Sequence, residues 1–143
     1  MNTADGRQVV STEEAASLLV CTVDEVERWR RAVLPTGPRK RAGQADDEYR
    51  AEEIVAVAAG QWLESMKRRE ALPMAARLVS DPPADEAWCI LVTYRTVQLI
   101  TDPAHPELAK RRYVREVVFH PDALYAALRE RGVWPPAPAT PRA

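Results

Sequence analysis

Cysteine is scarce in this sequence, and long apolar runs are missing. The 143 residues include two cysteines, Cys21 and Cys89, which are too few and too far apart for a disulfide framework or a Cys-X-X-Cys metal site. No stretch approaches the roughly 18 consecutive apolar residues of a membrane helix, and the first residues lack the apolar segment of a signal peptide. We therefore expect a protein of the reducing cytoplasm that does not associate with membranes.

The sequence also lacks an excess of either charge. It contains 20 basic and 21 acidic residues, for a net charge of −1, which excludes binding of nucleic acid by bulk charge alone. Apolar residues make up 46% of the chain, which is enough for a folded core. The basic residues are clustered, and three of the clusters are Arg28, Arg30 and Arg31, then Arg39, Lys40 and Arg41, then Lys67, Arg68 and Arg69.

Motifs of catalysis and of metal binding are missing as well. There is no Gly-rich phosphate loop, no Gly-X-Ser-X-Gly elbow and no His-Glu-X-X-His helix. His105 and His120 are each flanked by proline and have no cysteine or carboxylate at ligand spacing. We therefore expect a protein without enzymatic activity, metal ion or cofactor.

The sequence predicts the first residues of two helices in its N-terminal part. Ser11 and Thr22 are each followed three residues later by glutamate, which is the pattern of a capping box. The first box predicts a helix over residues 12–19 and the second a helix over residues 23–32, with Trp29 on its apolar face. Because so few residues separate the two helices, the sequence predicts a helix-turn-helix.

A polar segment and a third helix follow. Residues 36–48 contain three consecutive cations and are interrupted by glycine and proline, which favours a two-stranded loop over a helix. Residues 51–70 predict a helix whose acidic first turn and basic last turn complement the helix dipole. Gly60 interrupts its interior and is expected to weaken it.

The order of these pieces resembles the MerR-like and excisionase-type winged helix-turn-helix family over residues 9–56. The resemblance implies that the second helix enters the DNA major groove and that the loop before Tyr49 forms a wing on the backbone or in the minor groove. Val20 stands where the turn of the family usually has glycine. The matching residues are 10–19, Thr22, Val23, 26–31, Leu34, Pro35, Tyr49, Arg50 and Ile54.

The leading interpretation is a sequence-specific DNA-binding protein, either a transcription regulator or an excisionase-like architectural factor. The residues expected to bind double-stranded DNA are Arg28, Arg30, Arg31, Arg39, Lys40, Arg41 and Arg50.

A second interpretation stays open because the second helix begins with Asp24, Glu25 and Glu27, and phosphates repel carboxylates. The arginines at positions 28 and 31 could then pair with acids four residues earlier and form a charged solvent face. In that case the protein is a protein–protein interaction module on a winged-helix scaffold that no longer binds DNA.

The C-terminal half predicts an α+β fold for the whole chain. Residues 88–101 and 113–119 are strand-like, and residues 121–131 predict a helix closed by Gly132. The first of these strands is apolar on both faces, which one helix cannot cover, so we expect a homodimer through this half. The expected division is a winged helix-turn-helix domain (1–72), a linker (73–86), a small α/β unit (87–134) and a disordered tail (135–143).

Overall fold

The computed structural model describes residues 9–33, 48–83, 86–93, 95–101 and 117–134. Helices and small antiparallel sheets make up this part of the chain, which confirms an α+β fold. The elements in chain order are β1 (Val9–Ser11), α1 (Thr12–Leu19), α2 (Val23–Val33), β2 (Glu48–Arg50), α3 (Ala51–Ser65), α4 (Ala71–Ser80), β3 (Cys89–Val92), β4 (Val97–Ile100), β5 (Val117–Phe119) and α5 (Asp122–Glu130).

The first two helices begin as their sequence predicts. The Ser11 hydroxyl accepts a hydrogen bond from the amide of Glu14 at 3.2 Å, and the Thr22 hydroxyl accepts one from the amide of Glu25 at 3.1 Å. Each cap satisfies one of the amides that a helix start leaves without a partner. The bounds of α1 are those predicted, and α2 continues one residue further, to Val33.

A short antiparallel ladder ties the start of α1 to the start of α3. Strand β1 pairs with β2, with Val10 opposite Tyr49 and Ser11 opposite Glu48. Residues 36–47 of the predicted two-stranded loop lie outside the described residues. The ladder sets the positions at which α1 and α3 leave the small sheet.

Gly60 of α3 lies against side chains of both α2 and α4. A Cβ added at Gly60 would lie 2.7 Å from the Trp29 ring and 3.0 Å from the Ala75 methyl. Trp29 and Ala75 are both fully buried. Gly60 was expected to weaken α3. Instead, its lack of a side chain leaves room for Trp29 of α2 and Ala75 of α4 to pack against the helix.

Helix α3 ends earlier than predicted. The amide of Lys67 donates to the carbonyl of Glu64 at 2.9 Å and the amide of Arg68 to that of Leu63 at 3.1 Å, while Lys67 has a φ of 58°. These bonds form a Schellman motif, whose left-handed residue stops the helix. The predicted helix to residue 70 is therefore wrong.

The segment that follows this turn is a helix, not the start of a linker. Residues 71–80 form α4, which buries one apolar face made of Ala71, Met74, Ala75, Leu78 and Val79. Burial of that face against α3 offsets the entropy cost of ordering the segment. The prediction of a linker from residue 73 is wrong for its first eight residues, 73–80.

The predicted strand over residues 88–101 is a hairpin. Strands β3 and β4 pair antiparallel with Val92 opposite Val97, and β5 pairs with the other edge of β3. Since the chain reverses between residues 93 and 96, Val97 and Leu99 pack on the same core as Ile90.

The other face of this sheet is buried within the single chain. Cys89, Leu91 and Ile100 form a second small cluster and are 5%, 0% and 2% exposed. A second copy is therefore not needed to cover the sheet. The two-sided apolar pattern no longer argues for a homodimer.

One buried core joins the two halves of the described chain. It includes Trp29, Leu63, Ile90 and Leu128, which come from α2, α3, β3 and α5. The indole N–H of Trp88 donates to the Tyr125 hydroxyl at 2.8 Å inside it. The N-terminal helices and the C-terminal sheet are packed as a unit in the described residues.

Candidate nucleic-acid interface

One face of α2 is fixed to the rest of the fold. Trp29 is 0% exposed, and its indole N–H donates to the Glu25 carboxylate at 3.1 Å. This confirms the core position predicted for Trp29. The opposite face exposes Asp24, Glu27 and Arg31.

Arg28 bridges α2 and α3 at the surface. Its guanidinium is within 2.7 Å of both the Glu25 and the Glu64 carboxylates, and it lies 5.1 Å from the Trp29 ring centroid. The hydrogen bonds to Glu25 and then to Glu64 raise the pKa of Arg28 above its usual range. The expected pairing with Asp24 is wrong, because Glu25 and Glu64 hold the guanidinium.

The same contacts act on Glu25. Hydrogen bonds from Arg28 are the largest cause of a lowered pKa for this carboxyl, and the bond from Trp29 adds to the shift. Partial burial opposes the shift, since it favours the neutral form. Glu25 is therefore a shared anchor for a surface arginine and a buried indole.

Arg30 lies inside the fold. It is 8% exposed, it donates to the carbonyl of Glu48 at 2.6 Å, and its guanidinium is 4.3 Å from the Tyr49 ring centroid. These contacts tie α2 to β2. Within the fold, the Arg30 side chain holds the two elements together, and its contact with DNA stays a prediction.

Arg50 is buried at the start of α3. It is 3% exposed, and its amide donates to the Glu53 carboxylate at 2.8 Å. Its guanidinium lies 3.8 Å from the Glu52 carboxylate. Both acids are in the first turn of α3, where they also complement the helix dipole. Arg50 is thus a structural residue at the start of α3, and its role in DNA binding stays a prediction.

The remaining predicted residues fall into two groups. Arg31 is exposed on α2. Arg39, Lys40 and Arg41 lie outside the described residues. The structure therefore brings Arg28 and Arg31 together on one helix and withdraws Arg30 and Arg50 into the interior.

A second cationic surface lies beyond the end of α3. An open cleft of about 480 Å³ is lined by Lys67, Arg68, Arg69, Glu70 and Arg95, and is called the basic cleft below. The sequence predicted Lys67, Arg68 and Arg69 in the last turn of a helix and gave no role to Arg95. Arg95 reaches the cleft from the β3–β4 turn, so no local pattern could have found the site.

Two turns hold the basic cleft in place. The Arg68 guanidinium donates to Glu70 at 3.3 and 3.4 Å and to the Thr93 carbonyl at 3.4 Å. In the β3–β4 turn, the Thr93 hydroxyl accepts from the amides of Arg95 and Thr96 at 3.3 and 3.0 Å. Arg68 therefore links the α3–α4 turn to the hairpin turn that carries Arg95.

Other kinds of site were also sought. In the residues that the structure describes, no group of three or more histidine, cysteine, aspartate or glutamate side chains could hold a metal ion. No helix in this part of the chain is long and apolar enough to cross a membrane. His120 is exposed, and His105 lies outside the described residues.

Comparison of the chain with protein-family models and with curated proteins finds no match to either.

Proposed function

We propose that the protein binds double-stranded DNA, with α2 as the helix that approaches the major groove. The observation that carries the proposal is the way α2 is held. A tight turn joins it to α1, Trp29 anchors its inner face, and Arg31 stays exposed on the outer face. A recognition helix needs this combination of a fixed inner face and an exposed outer face.

The proposed contacts divide between reading and positioning. Arg31 and Arg28 would contact base edges or phosphates from α2, as Arg contacts guanine and phosphate in other complexes. Arg39, Lys40 and Arg41, in the segment outside the described residues, would neutralise phosphates. To contact DNA, Arg28 must give up its hydrogen bonds to Glu25 and Glu64. We therefore expect Arg31 to contribute more than Arg28 to the affinity for DNA.

A salt titration of binding to mixed-sequence DNA duplexes tests the proposal. The logarithm of affinity should fall linearly with the logarithm of salt, with a slope of about 0.9 for each phosphate contacted. Arg31→Ala should weaken binding by about 1–3 kcal/mol, whereas Arg77→Ala, an exposed arginine on α4, should not. Absence of salt-dependent binding by the wild-type chain would refute the proposal.

Two copies of the protein are expected on a specific DNA site. One helix-turn-helix module covers few base pairs, and useful affinity generally comes from two modules on adjacent half-sites. Light scattering of the protein with and without a bound duplex measures this stoichiometry. A single copy on the highest-affinity duplex would contradict it.

A second candidate function is a protein-interaction module. The observation in its favour is that α2 has little unpaired positive charge, because Arg28 is matched by two glutamates and Arg30 is buried. This function predicts that the wild-type chain shows no salt-dependent DNA binding. The same titration therefore separates the two functions.

A further inference from the structure

The basic cleft contains more cationic side chains than carboxylates. Four cationic side chains line it against one carboxylate, and that carboxylate, Glu70, is hydrogen-bonded to Arg68. Within the described residues, the side chains of Lys67, Arg69 and Arg95 are exposed and have no hydrogen bond or ion pair. The pKa of the Glu70 carboxyl is lowered chiefly by a hydrogen bond from its own backbone amide, with smaller contributions from Arg68 and, at longer range, from Arg69.

The three unpaired cations come from two separate parts of the chain. Lys67 and Arg69 lie in the α3–α4 turn, and Arg95 lies in the β3–β4 turn. Arg68 joins these turns through Glu70 and the Thr93 carbonyl. The like charges are therefore held near one another by the fold and do not merely follow one another in sequence.

Lys67 occupies its place at a cost in backbone energy. Its φ of 58° lies in the left-handed region, which a residue with a side chain adopts less favourably than the right-handed region. Helix α5 ends with the same hydrogen-bond pattern and has glycine there, Gly132 with a φ of 72°. The left-handed turn after α3 thus carries a cation where glycine would fit with less strain.

The lining of the basic cleft sets the class of its ligand. Every lining residue is charged, so the cleft offers nothing to an apolar molecule. Guanidinium and ammonium groups bind oxyanions, and arginine forks match the oxygens of phosphate in particular. Three unpaired cations exceed the charge of one carboxylate ligand and suit phosphate groups.

The basic cleft is adjacent to α2. Glu64, which holds the Arg28 guanidinium, also accepts the backbone hydrogen bond of Lys67. Arg28 and Lys67 therefore flank the same residue at the end of α3. Phosphates beside a helix lying in the major groove would come within reach of this end of the molecule.

We propose that the basic cleft binds phosphate groups through Lys67, Arg69 and Arg95, and that these phosphates belong to the DNA backbone flanking α2. Phosphate recognition rests on the basic cleft itself, whereas the assignment to DNA rests on the proposed function. Arg68 is a positioning residue in this arrangement, because its side chain already has partners within the fold.

Two probes test the proposal on the full chain, a 20-base-pair mixed-sequence duplex and inorganic triphosphate. The variants are Arg69→Ala, the combined Lys67→Ala, Arg69→Ala and Arg95→Ala, and the control Arg77→Ala, whose exposed arginine lies outside the basic cleft. Arg69→Ala should make the salt slope of duplex binding shallower by about one unit, and the triple variant by up to about three. Arg77→Ala should leave the slope unchanged.

Each result has a distinct meaning. If the duplex binds equally well to wild type and to the triple variant, DNA phosphates do not occupy the basic cleft, so this proposal is overturned and the proposed function stands without it. If the duplex does not bind but triphosphate binds and is lost in the triple variant, the proposed function fails and the phosphates are those of a free polyphosphate. If neither probe binds to wild type, both proposals are overturned. Thermal unfolding of the triple variant checks that the fold is retained.

Discussion

The two described clusters of three cations, in α2 and in the α3–α4 turn, have nearly the same composition and different fates. In α2, Arg28 and Arg30 are held by Glu25, Glu64 and the Glu48 carbonyl. In the turn, Arg68 is held, while Lys67 and Arg69 remain unpaired among the described residues. What separates the clusters is the set of oxygen atoms that the fold brings to each.

This difference shows that a run of cations does not locate a basic surface. Arg28 has one local partner, Glu25, but its second partner, Glu64, lies 36 residues away, and the partner of Arg30 lies 18 residues away. Tertiary structure decides these two distant pairings. Arg95 stands alone in sequence and joins a cluster only through folding. Four measurements test this difference and the packing that produces it.

The largest effect is expected at Arg30. Arg30→Ala removes a charged hydrogen bond to a carbonyl and the packing on Tyr49, and should lower the free energy of unfolding by about 2–4 kcal/mol. Arg69→Ala, in the other cluster, should change it by less than about 0.5 kcal/mol. Urea denaturation of both variants measures the contrast, and equal values would mean that the two clusters do not differ in structural role.

Gly60→Ala tests the packing that holds α2 against α3. The added methyl would meet the buried Trp29 ring, and such overpacking costs about 1–3 kcal/mol, which exceeds the gain in helix propensity of up to about 1 kcal/mol. We expect a net loss of stability in urea denaturation. In a Trp29→Leu background the substitution should cost less, and an unchanged cost would show that the ring is not the obstacle.

Acid should loosen the α2 cluster through Glu25. Its pKa is lowered in the folded state, chiefly by Arg28, so its contribution to stability is present above the ordinary glutamate pKa of about 4.3. That contribution is lost as the pH falls through the lower folded-state value. Glu25→Gln should therefore reduce stability near neutral pH and flatten its decline in acid, as followed by urea denaturation at several pH values.

A control for this measurement is Glu13→Gln, at an exposed glutamate of α1. It should leave the pH dependence close to that of the wild type. Equal slopes for the wild type and Glu25→Gln between about pH 2 and 5 would contradict the role assigned to Glu25.

The smallest effects are expected at the two left-handed residues that are not glycine. Val20→Gly and Lys67→Gly should each stabilise the protein by about 0.5–1 kcal/mol, because relief of about 1–2 kcal/mol of strain exceeds the added entropy of the unfolded chain. Val20 is 89% exposed and loses no packing. Lys67→Gly should also make the salt slope of DNA binding shallower, whereas Val20→Gly should not.

Equal DNA binding by Val20→Gly and Lys67→Gly would remove Lys67 from the basic cleft as a ligand. Thermal unfolding measures the change in stability of both variants. Destabilisation by either would show that the added entropy of the unfolded chain exceeds the strain that glycine relieves at that position.

Local patterns in the sequence predicted those features of the fold that local contacts create. The caps at Ser11 and Thr22 fixed the starts of α1 and α2, since cap and partner are three residues apart. The end of α3 was missed because Lys67 stands where the usual glycine signal would be. The β3–β4 turn was missed because a threonine hydroxyl stabilises it without glycine or proline.

The candidate site was less predictable than the fold. The position of Trp29 followed from helical spacing, but the burial of Arg30 and Arg50 did not. Arginine is rarely buried unless it has a partner, and the sequence does not reveal those partners. The basic cleft depends on Arg68 reaching the Thr93 carbonyl, 25 residues away. Contacts of this range are set by packing and leave no local signal.

The contact between α1 and α5 has a consequence for how the chain is made. Arg131, just after α5, lies 3.6 Å from the Glu14 carboxylate and donates to the Ser17 hydroxyl, 114 residues earlier in sequence. A ribosome releases α1 on the order of ten seconds before α5, at typical rates of synthesis. During that interval α1 lacks its last neighbour, so in the nascent chain it depends on its contacts with α2 and α3 until α5 emerges.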